Sequence, residues 1–440
     1  MALCRQTYTT NLSSLRTAGL PRWQQRPAQV LSLERSNFLL AYQGGNDLPL
    51  QRDYASILGE MIDLAEPGLR EPLVSTFDGG RRLRVGFVCQ WFYTSTVGTY
   101  FERWITHLDR TRFEVYVYYT GHTDDALTAR IRDGCDQFVR LNAALHENAR
   151  QIKQDRLDVL VHLEVGMSTS SHLLSVMRLA PVQCAAWGHP VTTGSDAIDY
   201  FFSCRLMEPD GHAGHYSEKV ILLDGIGVDF AMPSVGNPLA RSDLALPAAG
   251  RLYFCPQSLF KIHPDMDDLL ASIVGTDPGA VLVFFQSGAR AVTLAFADRL
   301  SAKLRQRGIN ARGQIKFLPR MDNETFRRAL TLANVVLDTV HWSGGGTSLD
   351  AIAGDVPVVT LPGGYMRGRQ TAAMLQLMQL TDLIAADADD YVRKAIEVAS
   401  NAQFNAGVRY AIATQKTALF DQSGLSRRFA EALYAAATSG

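Results

Sequence analysis

The sequence predicts an α/β protein built from two doubly wound, mostly parallel halves. Three observations predict it. Short runs rich in Val, Ile, Leu and Phe alternate with amphipathic runs along most of the chain, the β-α-β-α order of a parallel sheet covered by helices on both faces. One segment, Phe230–Pro247, breaks that rhythm with Pro233, Gly236, Pro238 and Pro247, after which the alternation restarts. The length of 440 residues suits two domains of about 150–200 residues each.

The first residues read differently from the rest. Arg5, Arg16, Arg22 and Arg26 precede any acid, the first being Glu34. This Arg- and Ser/Thr-rich start reads as a helical lead-in, with an organellar transit segment as the alternative. Residues 36–64 read as helix broken at Gly44–Gly45. Strands are expected at Arg82–Cys89, Phe113–Tyr119, Gln137–Leu141, Leu157–Leu163, Val182–Trp187, Ile198–Ser203 and Lys219–Leu223, with helices at Asp125–Asp133, Asn148–Arg156 and Ser171–Leu179. In the second half, strands are expected at Leu252–Gln257, Val281–Gln286, Gln314–Leu318, Val335–Asp338 and Val356–Leu361. Helices are expected at His263–Val274, Ala291–Arg307, Asn323–Ala333, Thr347–Ala353, Arg369–Leu380, Asp389–Ser400 and Ser426–Ala437. The expected division is 1–80 helical lead-in, 81–232 first domain, 248–415 second domain and 416–440 terminal helix.

Composition narrows the function classes. Apolar residues are 47% and charged residues 20%, an ordinary globular balance, and the net charge of -1 gives no general pull toward nucleic acid or an anionic membrane. No apolar run reaches the ~18 residues that span a bilayer. The six cysteines are scattered without a CxxC pair, as expected of reduced thiols in the cytosol. No repeat of 20–50 residues occurs. GxSxG, GxGxxG, GxxxxGK[ST] and HExxH are absent, so the usual hydrolase, dinucleotide, P-loop and zinc-protease signatures are not there.

Ligands of doubly wound sheets sit beyond the carboxyl ends of the strands, so the candidate residues are those at strand ends. In VVLDTVHWSGGGTSLD a buried strand ends at Asp338, and Gly344, Gly345, Gly346, Thr347 and Ser348 open a helix. Glycines admit close backbone approach, and a helix start offers N–H groups and a positive dipole end to a phosphate. The same pattern also fits an ordinary turn with Thr347 as cap. Asp350 either faces ligand hydroxyls or is a first-turn acid favoured by the dipole. Lys261 follows a strand end and is either a counter-charge for a diphosphate or a surface lysine. Arg367 and Arg369 follow another strand end, with the same two readings. Gln286 closes the strand VLVFFQ. In the first half, His189 lies between Gly188 and Pro190 just past a strand, as a proton acceptor or a structural histidine. His162 and Glu164 end LDVLVHLE, and Glu164 is either a base or scaffolding. Asp265 with Asp267, and Asp387 with Asp389, sit at expected helix starts and read as caps and dipole partners. No metal ligand is assigned.

Taken in order, RLRVGFV, RFEVYVYYTG, RLAPVQCAAWGHPVTTGSDAIDYFFS, EKVILL, SLFKIHP, IKFLPR, VVLDTVHWSGGGTSLDAI and GDVPVVTLPG resemble the O-linked N-acetylglucosamine transferase family, which includes Spindly-type enzymes and bacterial N-glucosyltransferases. The resemblance runs from about Arg82 to Ser400. It implies a GT-B fold of two Rossmann-like domains facing across a cleft. It implies inverting, metal-independent transfer of GlcNAc or glucose from a UDP-sugar to a Ser/Thr or Asn side chain of a protein or peptide, with no cofactor beyond the donor. Under it, Lys261 matches the lysine at the donor diphosphate, Thr347 the helix-start threonine at the phosphates, and Asp350 the acid at the ribose. His189 matches the histidine of the GHP motif in the N-glucosyltransferase branch, and Gln286 falls near a polar site position of that branch. Gln257, Ser258, Gly345, Gly346, Ser348 and Arg369 complete the expected donor site. His189 or Glu164 is the expected base, and Lys261 stabilises the leaving diphosphate.

Several positions depart from the family pattern. An Asn-His-Pro segment is replaced by CQWFYTSTVGTYF, with Thr94 or Ser95 at the histidine. Gly345 stands where a histidine precedes the helix-start threonines. Ser258 stands at the donor-loop glutamine, with Gln257 adjacent. The tetratricopeptide array of many members is not in this sequence. These replacements motivate a second expectation, a decayed GT-B fold that binds nucleotide or serves as a scaffold without turnover. A nucleotide-sugar epimerase of the same architecture is a third reading.

Overall fold

Apolar residues at helical and strand spacing resolve into two compact units in the computed structural model, which describes residues 1–25, 36–311 and 313–438. The first unit is Met1–Phe230 with Gln422–Gly440, and the second is Ala231–Asp421. Arg26 and Glu34 lie outside the described residues.

The first unit opens with helix α1 (Ala2–Ser14), a π turn over Leu15–Gly19 and the short α2 (Leu20–Trp23). Leu12 and Leu20 are buried in one apolar cluster with Leu50, Ile57, Leu58 and Met61 of α3 (Leu48–Ala65). Arg5 pairs with Asp47 at 2.6 Å, so the basic lead-in is anchored by charge as well as packing. The expected break at Gly44–Gly45 is a left-handed Gly44, φ 72°, that ends a 3-10 turn over Phe38–Gln43.

The sheet then builds in order: β1 (Leu83–Cys89), α4 (Thr96–Thr106), β2 (Phe113–Tyr119), α5 (Ala126–Asp133), β3 (Gln137–Arg140), α6 (Leu145–Gln154), β4 (Val159–His162), α7 (Thr169–Ser175), β5 (Val182–Ala185), β6 (Tyr200–Cys204) and β7 (Lys219–Leu223). The seven strands lie in the order β3-β2-β1-β4-β5-β6-β7, and every pairing is parallel. Leu83, Val85 and Phe87 are fully buried, as a strand covered on both faces requires. Helix α4 was not expected. Its buried Val97, Tyr100, Phe101, Trp104 and Ile105 recur at i, i+3, i+4, i+7 and i+8, but the β-branched and aromatic content masks that period.

The second unit contains β8 (Arg251–Phe254), α8 (Asp265–Thr276), β9 (Ala280–Phe285), α9 (Arg290–Gln306), β10 (Ile315–Leu318), α10 (Asn323–Leu330), β11 (Val335–Leu337), α11 (Gly346–Ala353), β12 (Val358–Val359), α12 (Gln370–Leu377), α13 (Ala388–Ser400) and α14 (Ala402–Gln415). Its five strands run β10-β9-β8-β11-β12, again all parallel. Helix α14 was missed because it lacks an apolar stripe; Ile412 is its buried residue. Asp387 caps α13 by accepting the Asp390 N–H at 2.9 Å, as its position suggested.

The terminal helix α15 (Ser423–Thr438) is not a separate piece. It belongs to the first unit, where Phe429 stacks on Trp104 at 3.7 Å and 10° and also meets Phe87 and Phe202. Burial of these large apolar rings accounts for that return. Of the segment expected as a linker, Phe230–Pro247, all but Phe230 falls in the second unit. Among the described residues no helix is long and apolar enough to cross a membrane.

Candidate functional site

In the second unit the carboxyl end of β11 runs into a loop held from beneath by one acid. Asp338 Oδ1 accepts the Gly344 N–H at 2.6 Å, and Oδ2 accepts the hydroxyls of Ser343 at 2.8 Å and Thr360 at 2.7 Å. Burial pushes the Asp338 carboxyl up against those bonds. Gly344 has no room for a side chain, since a Cβ there would lie 2.3 Å from Ser348 Oγ and 2.8 Å from Thr347 Oγ1. The loop therefore delivers the chain tightly into α11. The first N–H groups of α11, at Gly346 and Thr347, have no carbonyl one turn back within the helix, and Gly345 precedes them as the N-cap. All three are half-buried, which suits an anion cradle.

The structure adds a partner for Ser348 and removes one of the two readings of Asp350. The Ser348 hydroxyl is buried and lies 2.7 Å from Thr371 Oγ1, and its N–H donates to Gly345 O at 3.1 Å. Ser348 thus braces the loop through Thr371. Asp350 is not a first-turn acid, because α11 begins at Gly346; it lies one turn in, 3.7 Å from Arg327 of α10. Burial raises its carboxyl to about 6, with Arg327 opposing.

Lys261 closes a 3-10 turn, Leu259–Lys261, just past β8. Its ammonium lies 5.1 Å from the Trp342 ring centroid and 5.9 Å from that of Phe260. The side chain keeps some exposure but is packed round by protein, and burial lowers its ammonium to about 8. An aromatic face supports the cation there without neutralising it. At the ends of β8, β9 and β10 lies a cavity of about 320 Å³ lined by residues that include Gln257, Ser258, Phe260, Gln286, Arg320 and Phe326. Gln257, Ser258 and Gln286 thus line one cavity. Gln286 is exposed and donates to Phe317 O at 3.4 Å, and Gln257 Oε1 accepts the Ser258 N–H at 3.1 Å. Lys261 is not among the residues lining this cavity. Arg369 stands at the start of α12 and donates to Gly363 O at 3.0 Å, while Arg367 is buried with its guanidinium 4.6 Å over Tyr365.

The first unit gathers a second set at the ends of β4 and β5. His162, Glu164, His172 and His189 are each 2% exposed or less. Gly166, φ 107°, lets the backbone pass between two rings, since a Cβ there would lie 2.9 Å from His189 and 3.3 Å from His172. Phe38 lies against His189 at 5.4 Å. Burial lifts the Glu164 carboxyl to about 8, and Ser171 and the amides of Gln90 and Met167 offset only part of it. Burial holds His162 down to about 3 and His172 to about 4. At neutral pH Glu164 is therefore mostly protonated, and both imidazoles are neutral.

Trp342, Arg320, Arg327 and Thr371 were not singled out from sequence, because each acts on a partner distant in the chain. His263, Asp265 and His341 also meet, and among the described residues they are the grouping of His, Cys, Asp and Glu that could hold a metal ion. Asp267 binds Arg299 at 2.7 Å instead. Ser95, one of the two residues expected at the family's histidine, caps α4 by accepting the Gly98 N–H at 3.0 Å.

The chain is 26% identical over 340 residues to the probable UDP-N-acetylglucosamine-peptide N-acetylglucosaminyltransferase SPINDLY of Arabidopsis thaliana, covering 74% of this chain and 36% of that one. It is 27% identical over 371 residues to the corresponding Arabidopsis thaliana protein SEC, covering 80% and 37%. It thus spans little more than a third of the length of these relatives. A mutant O-GlcNAc transferase of Thermobaculum terrenum superposes with a TM-score of 0.72 at 26% identity, covering 88% of this chain and 75% of that one. A sucrose-phosphate synthase of Thermosynechococcus elongatus, at TM-score 0.55 and 12% identity over 80% and 98%, shares the fold alone. These neighbours and the two parallel sheets make the fold GT-B. The profile of glycosyl transferase family 41 matches residues 67–226 and 232–428, most of the sequence, and the chain belongs to that family.

Proposed function

We propose that this chain transfers a sugar, GlcNAc or glucose, from a UDP-sugar to a Ser/Thr or Asn side chain of a protein or peptide, with inversion and without a metal in the chemical step. The observation that carries the reading is the loop from Asp338 to Thr347, fastened from beneath by Asp338 and Thr371 and opening on the N–H groups of Gly346 and Thr347. Family membership and the printed names of the relatives support the donor class.

In this reading the diphosphate lies on the start of α11, where the dipole and N–H groups stabilise its charge, and Lys261 adds a positive charge as the sugar–phosphate bond breaks. Asp350 accepts from the ribose hydroxyls. Gln257, Ser258 and Gln286 meet the base or sugar in their cavity, and Arg369 supports the phosphates. His189 is preferred over Glu164 as the group that takes the acceptor's proton. A carboxyl held near 8 is mostly protonated at neutral pH and has little capacity to accept.

One observation favours a second reading, nucleotide binding without turnover. Of the two residues that stand at the family's histidine, Thr94 and Ser95, neither carries an imidazole, and Ser95 is engaged in capping α4.

The test is a thermal-shift and product assay with UDP-GlcNAc, UDP-glucose, GDP-fucose and their free nucleotides, with a peptide library as acceptor and with EDTA in parallel. Stabilisation by uridine nucleotides, with transfer that persists in EDTA, is expected. Stabilisation without any product selects the second reading, and no response to uridine nucleotides overturns both.

A further inference from the structure

We propose that His263, Asp265 and His341 form a binding site for one divalent transition-metal ion of borderline softness, of the Zn²⁺ and Co²⁺ class. The three residues come from two loops of the second unit. His263 lies just past the turn that ends at Lys261, Asp265 opens α8, and His341 lies in the loop after β11. His341 Nε2 is 2.8 Å and His263 Nδ1 3.3 Å from the same oxygen, Asp265 Oδ2. The two rings are 4.5 Å apart at 75°, and one ligand atom of each residue lies within 4.8 Å of the others. Tetrahedral Zn²⁺ with nitrogen and oxygen ligands at about 2.0–2.2 Å holds its ligand atoms roughly 3.4 Å apart, so the set needs only small side-chain adjustments.

The chemistry of the donors selects the ion. Two imidazoles and one carboxylate suit Zn²⁺, Co²⁺ or Ni²⁺ and disfavour Mg²⁺ and Ca²⁺, which want oxygen. Three protein ligands leave a fourth position for water. His263 Nδ1 accepts the Asp265 N–H at 3.2 Å, so it carries a lone pair, and a metal would replace that long bond. His341 gives up its Nε2 proton on binding. His263 is buried while Asp265 is exposed and His341 half-buried, which provides both a fixed ligand and an entry path. His341 also adopts a left-handed backbone, φ 66°, which brings its ring to the carboxylate.

Such an ion would tie the loop that carries Lys261 to the loop that carries Trp342 and Gly344–Gly346. None of its ligands is assigned to sugar transfer, so the site stands or falls apart from that reading.

The experiment is a Co²⁺ titration of the chelator-treated full chain, followed by calorimetry and visible absorption. Co²⁺ is chosen because a thiolate ligand from Cys4 or Cys135 would reveal itself by a sulfur-to-metal charge-transfer band. One equivalent bound without that band, a Tm rise reversed by EDTA and no response to Mg²⁺ are expected. In His341→Asn and Asp265→Asn the affinity should fall at least tenfold. Asn tolerates the left-handed backbone, so the first variant keeps the metal-free Tm. No stoichiometric binding, a thiolate band, or unchanged affinity in both variants overturns the site.

Discussion

The Lys261 ammonium sits 5.1 Å from the centre of the Trp342 ring, although 81 residues separate them in sequence. The pair joins the loop after β8 to the loop after β11 and sets the charge of the proposed donor site against an aromatic wall.

Lys261→Ala should abolish transfer and weaken UDP binding about 10–100-fold, the scale of one charge-assisted contact of about 1.5–3 kcal/mol, with little change in Tm. Because burial lowers this ammonium to about 8, the wild-type affinity for UDP should fall as pH rises through that value. Calorimetry between pH 7 and 9 checks both, and an unchanged affinity in the variant removes the diphosphate role.

Asp338→Ala should behave differently. It leaves the Gly344 N–H and the Ser343 and Thr360 hydroxyls buried without their acceptor, at about 3 kcal/mol, a Tm drop of roughly 6–12 °C for a unit of this size. Nucleotide binding should be lost with it. A variant that kept its Tm would show that the loop does not depend on this carboxylate.

Asp350 titrates near 6, and its carboxylate is the acceptor in the donor reading. Protonation removes that acceptor, so UDP affinity should weaken as pH falls from 7 to 5. Asp350→Asn should bind about tenfold more weakly at pH 7 and lose that dependence. Arg327→Ala should move the midpoint upward, since the guanidinium holds the carboxyl down. Parallel titrations of the three proteins at five pH values decide the matter.

The first unit should carry two opposed pH slopes. Glu164 has a folded pKa raised to about 8, so its contribution is complete below its unfolded value near 4.5 and is lost as pH rises through 8. His162 and His172 have folded values lowered to about 3 and 4, so theirs is complete above about 6.5 and is lost as pH falls toward those values. Glu164→Gln should therefore gain Tm relative to wild type between pH 5 and 8. Differential scanning calorimetry across that range checks the sign, and a constant difference would mean that Glu164 does not titrate in the window.

The sequence by itself determined the two parallel sheets, because strands buried on both faces are written as unbroken apolar runs such as LRVGFVC and AVLVFF. It also determined where the strand ends meet Gly-, Lys- and His-bearing loops, and so most of the candidate residues. It did not reveal α14, whose polar surface carries no period, or the membership of α15 in the first unit, which rests on Phe429 meeting Trp104. The direction each side chain takes was decided only by tertiary structure. Ser348 turns inward because Thr371 awaits it, Asp350 faces Arg327, Trp342 backs Lys261, and His341 reaches Asp265. Each depends on a partner at least 23 residues away, and local propensity carries no information about a contact whose other half is set by packing.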